Sequence, residues 1–106
     1  MNVVSRHINE ITDLCSQYEV EELFLFGSIL SNDYNSDSDI DMLVSFYTTD
    51  PLAYADNYFN LKFDLESLLQ RKIDLVEEKA ISNSHFMQQL NMHKIQIYGR
   101  EGKSVA

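Results

Sequence analysis

Asp37, Asp39 and Asp41 fall within five residues of the stretch LFLFGSILSNDYNSDSDIDMLVSF, positions 23–46. On an extended chain alternate side chains leave the same face, so Asp39 and Asp41, with Cα atoms about 6.5 to 7 Å apart, face one point. At an effective dielectric near 20 two such charges repel by about 2.5 kcal/mol, and Asp37 adds to that. A divalent cation offsets the repulsion. Hard oxygen donors without a neighbouring Cys or His pair suit Mg²⁺ or Mn²⁺ better than zinc, and Mg²⁺ is commonly held by one or two carboxylates together with substrate phosphates. A nucleotide is therefore expected to complete the site.

Two further features belong with these acids. Asp74 is a single carboxylate inside the apolar run KIDLV, where a lone buried charge would be expensive. If its strand lies beside the Asp39 strand, Asp74 reaches the metal and can take the proton from an attacking hydroxyl; otherwise it is a solvent-facing edge residue. Gly27-Ser28 follows LFLF directly. Glycine permits a tight turn and close backbone approach, and free N–H groups at the start of a following helix, with the Ser28 hydroxyl, can cradle a phosphate.

The elements that must position these residues are legible from periodicity. Val4, Ile8, Ile11, Cys15 and Tyr18 recur at alternating spacings of four and three, which predicts an amphipathic helix over about 3–18. LFLF is apolar at four consecutive positions, the pattern of a short central strand covered on both faces and ended by Gly27. In DIDMLVSF the period of two puts Ile40, Met42, Val44 and Phe46 on one face and Asp39, Asp41, Leu43 and Ser45 on the other. Asp50 as a cap and Pro51 in the first turn open a helix over about 52–70. Its stripe is Tyr58, Leu61, Leu65, Leu68 and Leu69. Phe59 and Phe63 lie roughly opposite, so the helix is either covered twice by the chain's own segments, the expectation here, or offers aromatic surface to a partner. KIDLVEE predicts a strand with Ile73 and Leu75 inward and Asp74 with Val76 on the other face. A last helix over about 82–93, capped by Ser82 or Ser84, and a final strand in KIQIYG complete the order. Helix, strand, turn, strand, helix, strand, helix, strand suggests an α+β layered domain, with helices against a mixed sheet.

Composition narrows the function. The 106 residues fit one domain, 1–106 with an ordered core over about 3–99, too short to include a substrate-binding domain with its own core. Seventeen acidic against eight basic residues give a formal charge of -9, a field that repels a phosphate backbone, so direct nucleic-acid binding is not expected. The N-terminal MNVVSRHINE lacks the pattern of a signal peptide and no run approaches the roughly 20 apolar residues of a membrane span, so a cytoplasmic protein is expected. Cys15 stands alone at an apolar position and reads as a packed thiol. His7, His85 and His93 have no metal-ligand spacing and enter no site, and the tail GREGKSVA is expected to fray.

Gly27-Ser28, ten intervening residues, then Asp39-Ile40-Asp41, with Asp74 on a later strand in LLQRKIDLV, resembles the signature of the DNA polymerase β-like nucleotidyltransferase superfamily, in particular its minimal nucleotidyltransferases. The resemblance covers nearly the whole chain. It implies two metal ions held by Asp39, Asp41 and Asp74, gripping a nucleoside triphosphate whose phosphates lie over Gly27 and Ser28. An acceptor hydroxyl would attack the α-phosphorus in line and release pyrophosphate, a reaction in which positioning and charge neutralisation do most of the work. Minimal members commonly form the antitoxin half of a pair with a helical HEPN-domain ribonuclease toxin, and use ATP to place AMP on a tyrosine of that toxin. A hetero-oligomer with such a partner is the implied assembly.

The sequence departs from the family at Ser31-Asn32, where many members carry arginine and then glycine. That removes a guanidinium contact to phosphate or acceptor, and Arg71, Lys72, Lys94 and Arg100 are the candidates to replace it. DYNSDSDID alternates like a calcium loop, yet it has Ser38 at the sixth position and Val44 at the twelfth, where glycine and glutamate are required. A solvated acidic turn is the plain alternative. An antitoxin that merely masks its toxin would keep the same acidic surface, and modification of a small molecule would call for an acceptor domain that this length cannot supply.

Overall fold

The computed structural model describes residues 3–30 (the Ser28 side chain apart), 38–81, 85, 88 and 93–100. Four strands, β1 (Val20–Phe26), β2 (Ile40–Phe46), β3 (Ile73–Glu77) and β4 (Ile95–Gly99), make one sheet in the order β3-β2-β1-β4. β1 is antiparallel to both β2 and β4, whereas β2 and β3 are parallel. The sheet is mixed, as the element order suggests.

Strand alternation sorts side chains into two layers. On one face Leu23, Leu25, Ile40, Met42, Val44, Phe46, Ile73, Leu75 and Ile97 pack against Val4, Ile11, Cys15, Leu61, Leu65 and Leu69 from the helices. On the other, Phe24, Phe26 and Leu43 form a smaller cluster with Val76 and Ile81 against it. LFLF is thus buried on both faces, because alternate residues of an interior strand feed both clusters.

The N-terminal stripe does not form one helix. Helix α1 (Val3–Arg6) and helix α2 (Ile8–Gln17) are separated at His7. A continuous helix would have the His7 N–H donate to the Val3 carbonyl; here the His7 ring Nδ1 donates to that oxygen at 2.9 Å, and the backbone N–H turns to Val4 O at 3.1 Å. A side chain has replaced the main chain as donor, and the helix breaks there. Val4, Ile11 and Cys15 are nevertheless buried on the predicted face. Burial pushes the Cys15 thiol far above its ordinary pKa, consistent with a packed and unreactive group.

Helix α3 (Pro51–Leu69) begins as expected, with the Asp50 carboxylate accepting from the Ala53 N–H at 2.9 Å and Pro51 in the first turn. It ends at Gln70, whose left-handed φ of 54° turns the chain and whose N–H donates to Glu66 O. Leu61, Leu65 and Leu69 are buried, and Tyr58 and Leu68 pack beside them. The expectation that Phe59 and Phe63 are covered by the chain's own segments fails: they are 52% and 58% exposed and stack on one another. One helical face already fills the layer above the sheet, and the described residues place no second layer outside it. Of the last predicted helix only His85 and Gln88 are described, both helical; its caps Ser82 and Ser84, and the C-terminal tail, lie outside the described residues. No described helix is long and apolar enough to cross a membrane.

Candidate active site

Asp41 and Asp74 are brought side by side by a connection. A strand that returns parallel to its predecessor needs a crossover, and α3 supplies it between β2 and β3. Parallel pairing makes both strands start at the same end of the sheet. Asp41 and Asp74 are each the second residue of their strand and are register partners, so their Cα atoms stand about 4.8 Å apart with side chains on one face. Asp39 lies just before β2 on the same parity. Asp39 and Asp74 are exposed and Asp41 is half-buried. β3 is an edge strand, so Asp74 faces solvent and neighbours Asp41 at once.

Several bonds fix this corner. The Ile40 N–H donates to Lys72 O at 3.0 Å, aligning the two strand starts. Glu66 Oε2 accepts from the Ile73 N–H at 3.1 Å, and Tyr58 donates its hydroxyl to Leu75 O at 2.6 Å, so α3 holds β3 on either side of Asp74. Burial first, then the Glu77 and Asp74 charges, push the Tyr58 hydroxyl above its ordinary pKa; it remains a neutral donor.

Gly27 closes the corner. It follows β1, whose last residue Phe26 pairs with Asp41, and has a left-handed φ of 77°. A Cβ placed there would stand 3.0 Å from Asp41 Cγ, 3.2 Å from its Cβ, and well inside contact with Oδ2. The Gly27 backbone and the Asp41 carboxylate therefore touch. Gly27–Leu30 is a short 3-10 turn, the tight turn expected after LFLF. The backbone of Ser28 lies in that turn beside the acids. Ser31, Asn32 and Asp37 lie outside the described residues.

The basic residues nominated to replace the missing arginine are dispersed. Arg71 donates through Nη2 to Ser38 O at 2.6 Å, fixing the segment that leads into Asp39. Arg100 pairs with Glu21 at 3.0 Å and covers the Tyr47 ring, at the opposite end of the sheet. Lys72 immediately precedes β3, and Lys94 places its ammonium 3.9 Å from the Phe24 ring centroid. The grip of Arg71 on Ser38 is a positioning contact that the sequence does not announce, since it spans 33 positions.

A donor set made only of carboxylates fits a hard divalent ion. Among the described residues no three Asp, Glu, His or Cys side chains are already gathered at ligating distance; carboxylates on adjacent strands must turn inward to close on an ion.

The family model described as "Polymerase beta, Nucleotidyltransferase" matches residues 9–103. A Methanocaldococcus jannaschii chain described as a candidate protein adenylyltransferase is 33% identical over 98 residues, covering 85% of this chain and 97% of its own. Among solved structures, a candidate minimal nucleotidyltransferase superposes with TM-score 0.74 at 26% identity, covering 90% of this chain and 95% of that one. A toxin–antitoxin structure with AMP-PNP gives 0.67 at 27% identity, over 89% of this chain and 74% of the other. A complex of tri-AMPylated Shewanella oneidensis HEPN toxin with MNT antitoxin gives 0.62 at 26% identity, over 90% and 71%.

Proposed function

The chain belongs to the polymerase β-type nucleotidyltransferase family, and on that premise we propose that it is a metal-dependent adenylyltransferase that moves AMP from ATP onto a tyrosine of a HEPN toxin and so acts as its antitoxin. The observation that carries the reading is the row in which Asp74, Asp41 and Phe26 stand side by side across the sheet, with Gly27, the residue after Phe26, against the Asp41 carboxylate. Supporting the partner and the nucleotide are the similar structures, one a HEPN toxin complex and one containing AMP-PNP.

In this reading Asp39, Asp41 and Asp74 would hold Mg²⁺ or Mn²⁺, in the two-ion arrangement that the family resemblance implies. Ions held there would supply charge neutralisation for the attacking and leaving oxygens. Gly27, lacking a side chain, lets the phosphates come down onto the turn, and the Gly27–Ser28 backbone supplies N–H donors to them. The tyrosine oxygen forms a bond to the α-phosphorus as the bond to the pyrophosphate oxygen breaks. Asp74, exposed at the sheet edge, takes the hydroxyl proton. Holding the acceptor and the phosphorus in line supplies the greater part of the acceleration.

The test mixes purified protein, ATP labelled on the α-phosphate, Mg²⁺ and a HEPN toxin, with Asp39→Ala and Asp41→Ala as controls. Label on the toxin, lost in both variants and in a toxin lacking its acceptor tyrosine, is the expected result. Protection of RNA without label on the toxin would replace catalysis by masking.

A further inference from the structure

Resting on that nucleotide-transfer reading, we propose that Lys94 is the phosphate-binding cation of the site, standing across the Gly27–Ser28 turn from the acids. The register places it. Ile95 pairs with Leu25, so Lys94, one residue earlier on the antiparallel strand, is level with Phe26. Phe26 pairs with Asp41, and Asp41 with Asp74. Lys94, Phe26, Asp41 and Asp74 thus make one row across the sheet, with Lys94 about 10 Å from Asp41 along the backbone row.

Its side chain lies on the acid face. The ammonium is 3.9 Å from the centroid of Phe24, which clusters with Phe26 and Leu43, and Leu43 shares the parity of Asp41. Because Gly27 follows Phe26, the turn projects from the strand between carboxylate and ammonium. A polyphosphate crossing that turn has acids and their cations at one end and Lys94 at the other. Contact with an aromatic face is weak beside a charge-assisted bond to phosphate, and the four-carbon stem is flexible enough to move to the rim.

The other cations of the described residues are placed elsewhere. Arg71 grips Ser38 O, Arg100 pairs with Glu21 at the far end, and Lys79 lies over the Tyr54 ring. Arg6 and Lys62 sit on α1 and α3, which cover the opposite face. Lys72 precedes β3, on the outer side of the acids, two strands from the turn.

The test is calorimetric binding of AMP-PNP with Mg²⁺ to the wild type, Lys94→Met, Lys94→Gln, Lys94→Arg and Lys72→Met, with unfolding midpoints measured beside it. The methionine variant keeps an apolar stem on Phe24. Expected is a loss of at least about tenfold in affinity for the Met and Gln variants, recovery in the Arg variant, unchanged midpoints and a shallower dependence on KCl than the wild type shows. Wild-type affinity in the Met and Gln variants, or a larger loss for Lys72→Met, overturns the assignment while leaving the nucleotidyltransferase reading intact. A wild type that binds no magnesium nucleotide removes both.

Discussion

Replacing Gly27 by alanine tests the closeness of turn and carboxylate most directly. The new Cβ would lie 3.0 Å from Asp41 Cγ and 3.2 Å from its Cβ, at a residue whose φ is 77°. An L-residue in left-handed conformation costs about 1 to 2 kcal/mol. Asp41 must also leave its rotamer, at about 0.5 to 1.5 kcal/mol, so a loss of about 1.5 to 3.5 kcal/mol is expected in urea unfolding. The two causes separate in a double-mutant cycle. With Asp41→Ala in the background the carboxylate is gone and only the backbone part remains, so Gly27→Ala should cost about 1 kcal/mol less there. On the proposed mechanism the displaced carboxylate also lowers nucleotidyl transfer by about 10²-fold or more. Equal costs in the two backgrounds, within about 0.5 kcal/mol, would refute the contact on which the site's geometry rests.

Other outcomes follow from the same structure. Asp74→Asn removes a like charge directly across from Asp41 and should leave stability in EDTA unchanged or raised by up to about 1 kcal/mol; Mg²⁺ should raise the unfolding midpoint of the wild type more than that of the variant, as scanning calorimetry would show. Arg71→Met frees Ser38 and should raise the Mg²⁺ concentration needed for half-maximal nucleotide binding, with Arg71→Lys intermediate; no change in that titration would deny Arg71 a part in presenting Asp39. Phe59→Ser together with Phe63→Ser should shift stability by no more than about 0.5 kcal/mol per site, because both rings are largely in solvent; a greater loss in chemical denaturation would mean that the chain itself covers them. Cys15 should resist iodoacetamide at pH 8 until denaturant is added, since its thiol is buried and held protonated.

What the amino-acid order determines by itself is local and periodic. Alternation in DIDMLVSF and KIDLVEE assigns Asp41 and Asp74 each to a face of its strand, four apolar residues in LFLF mark a strand buried on both sides, and Asp50-Pro51 starts α3 where it begins. These depend on a backbone period and on near neighbours, so a one-dimensional string contains them. The break at His7 is also local, but it depends on a ring nitrogen outcompeting a backbone N–H for the Val3 carbonyl, a choice that hydrophobic spacing does not register. Tertiary structure decides the rest. Only the α3 crossover makes β2 and β3 parallel and sets Asp41 opposite Asp74, only the packing of one helical stripe leaves Phe59 and Phe63 outside, and only the order β3-β2-β1-β4 puts Lys94 in line with the acids while sending Arg100 to the far end. Those outcomes join residues tens of positions apart, and what selects among them is which faces can be buried together in one small core.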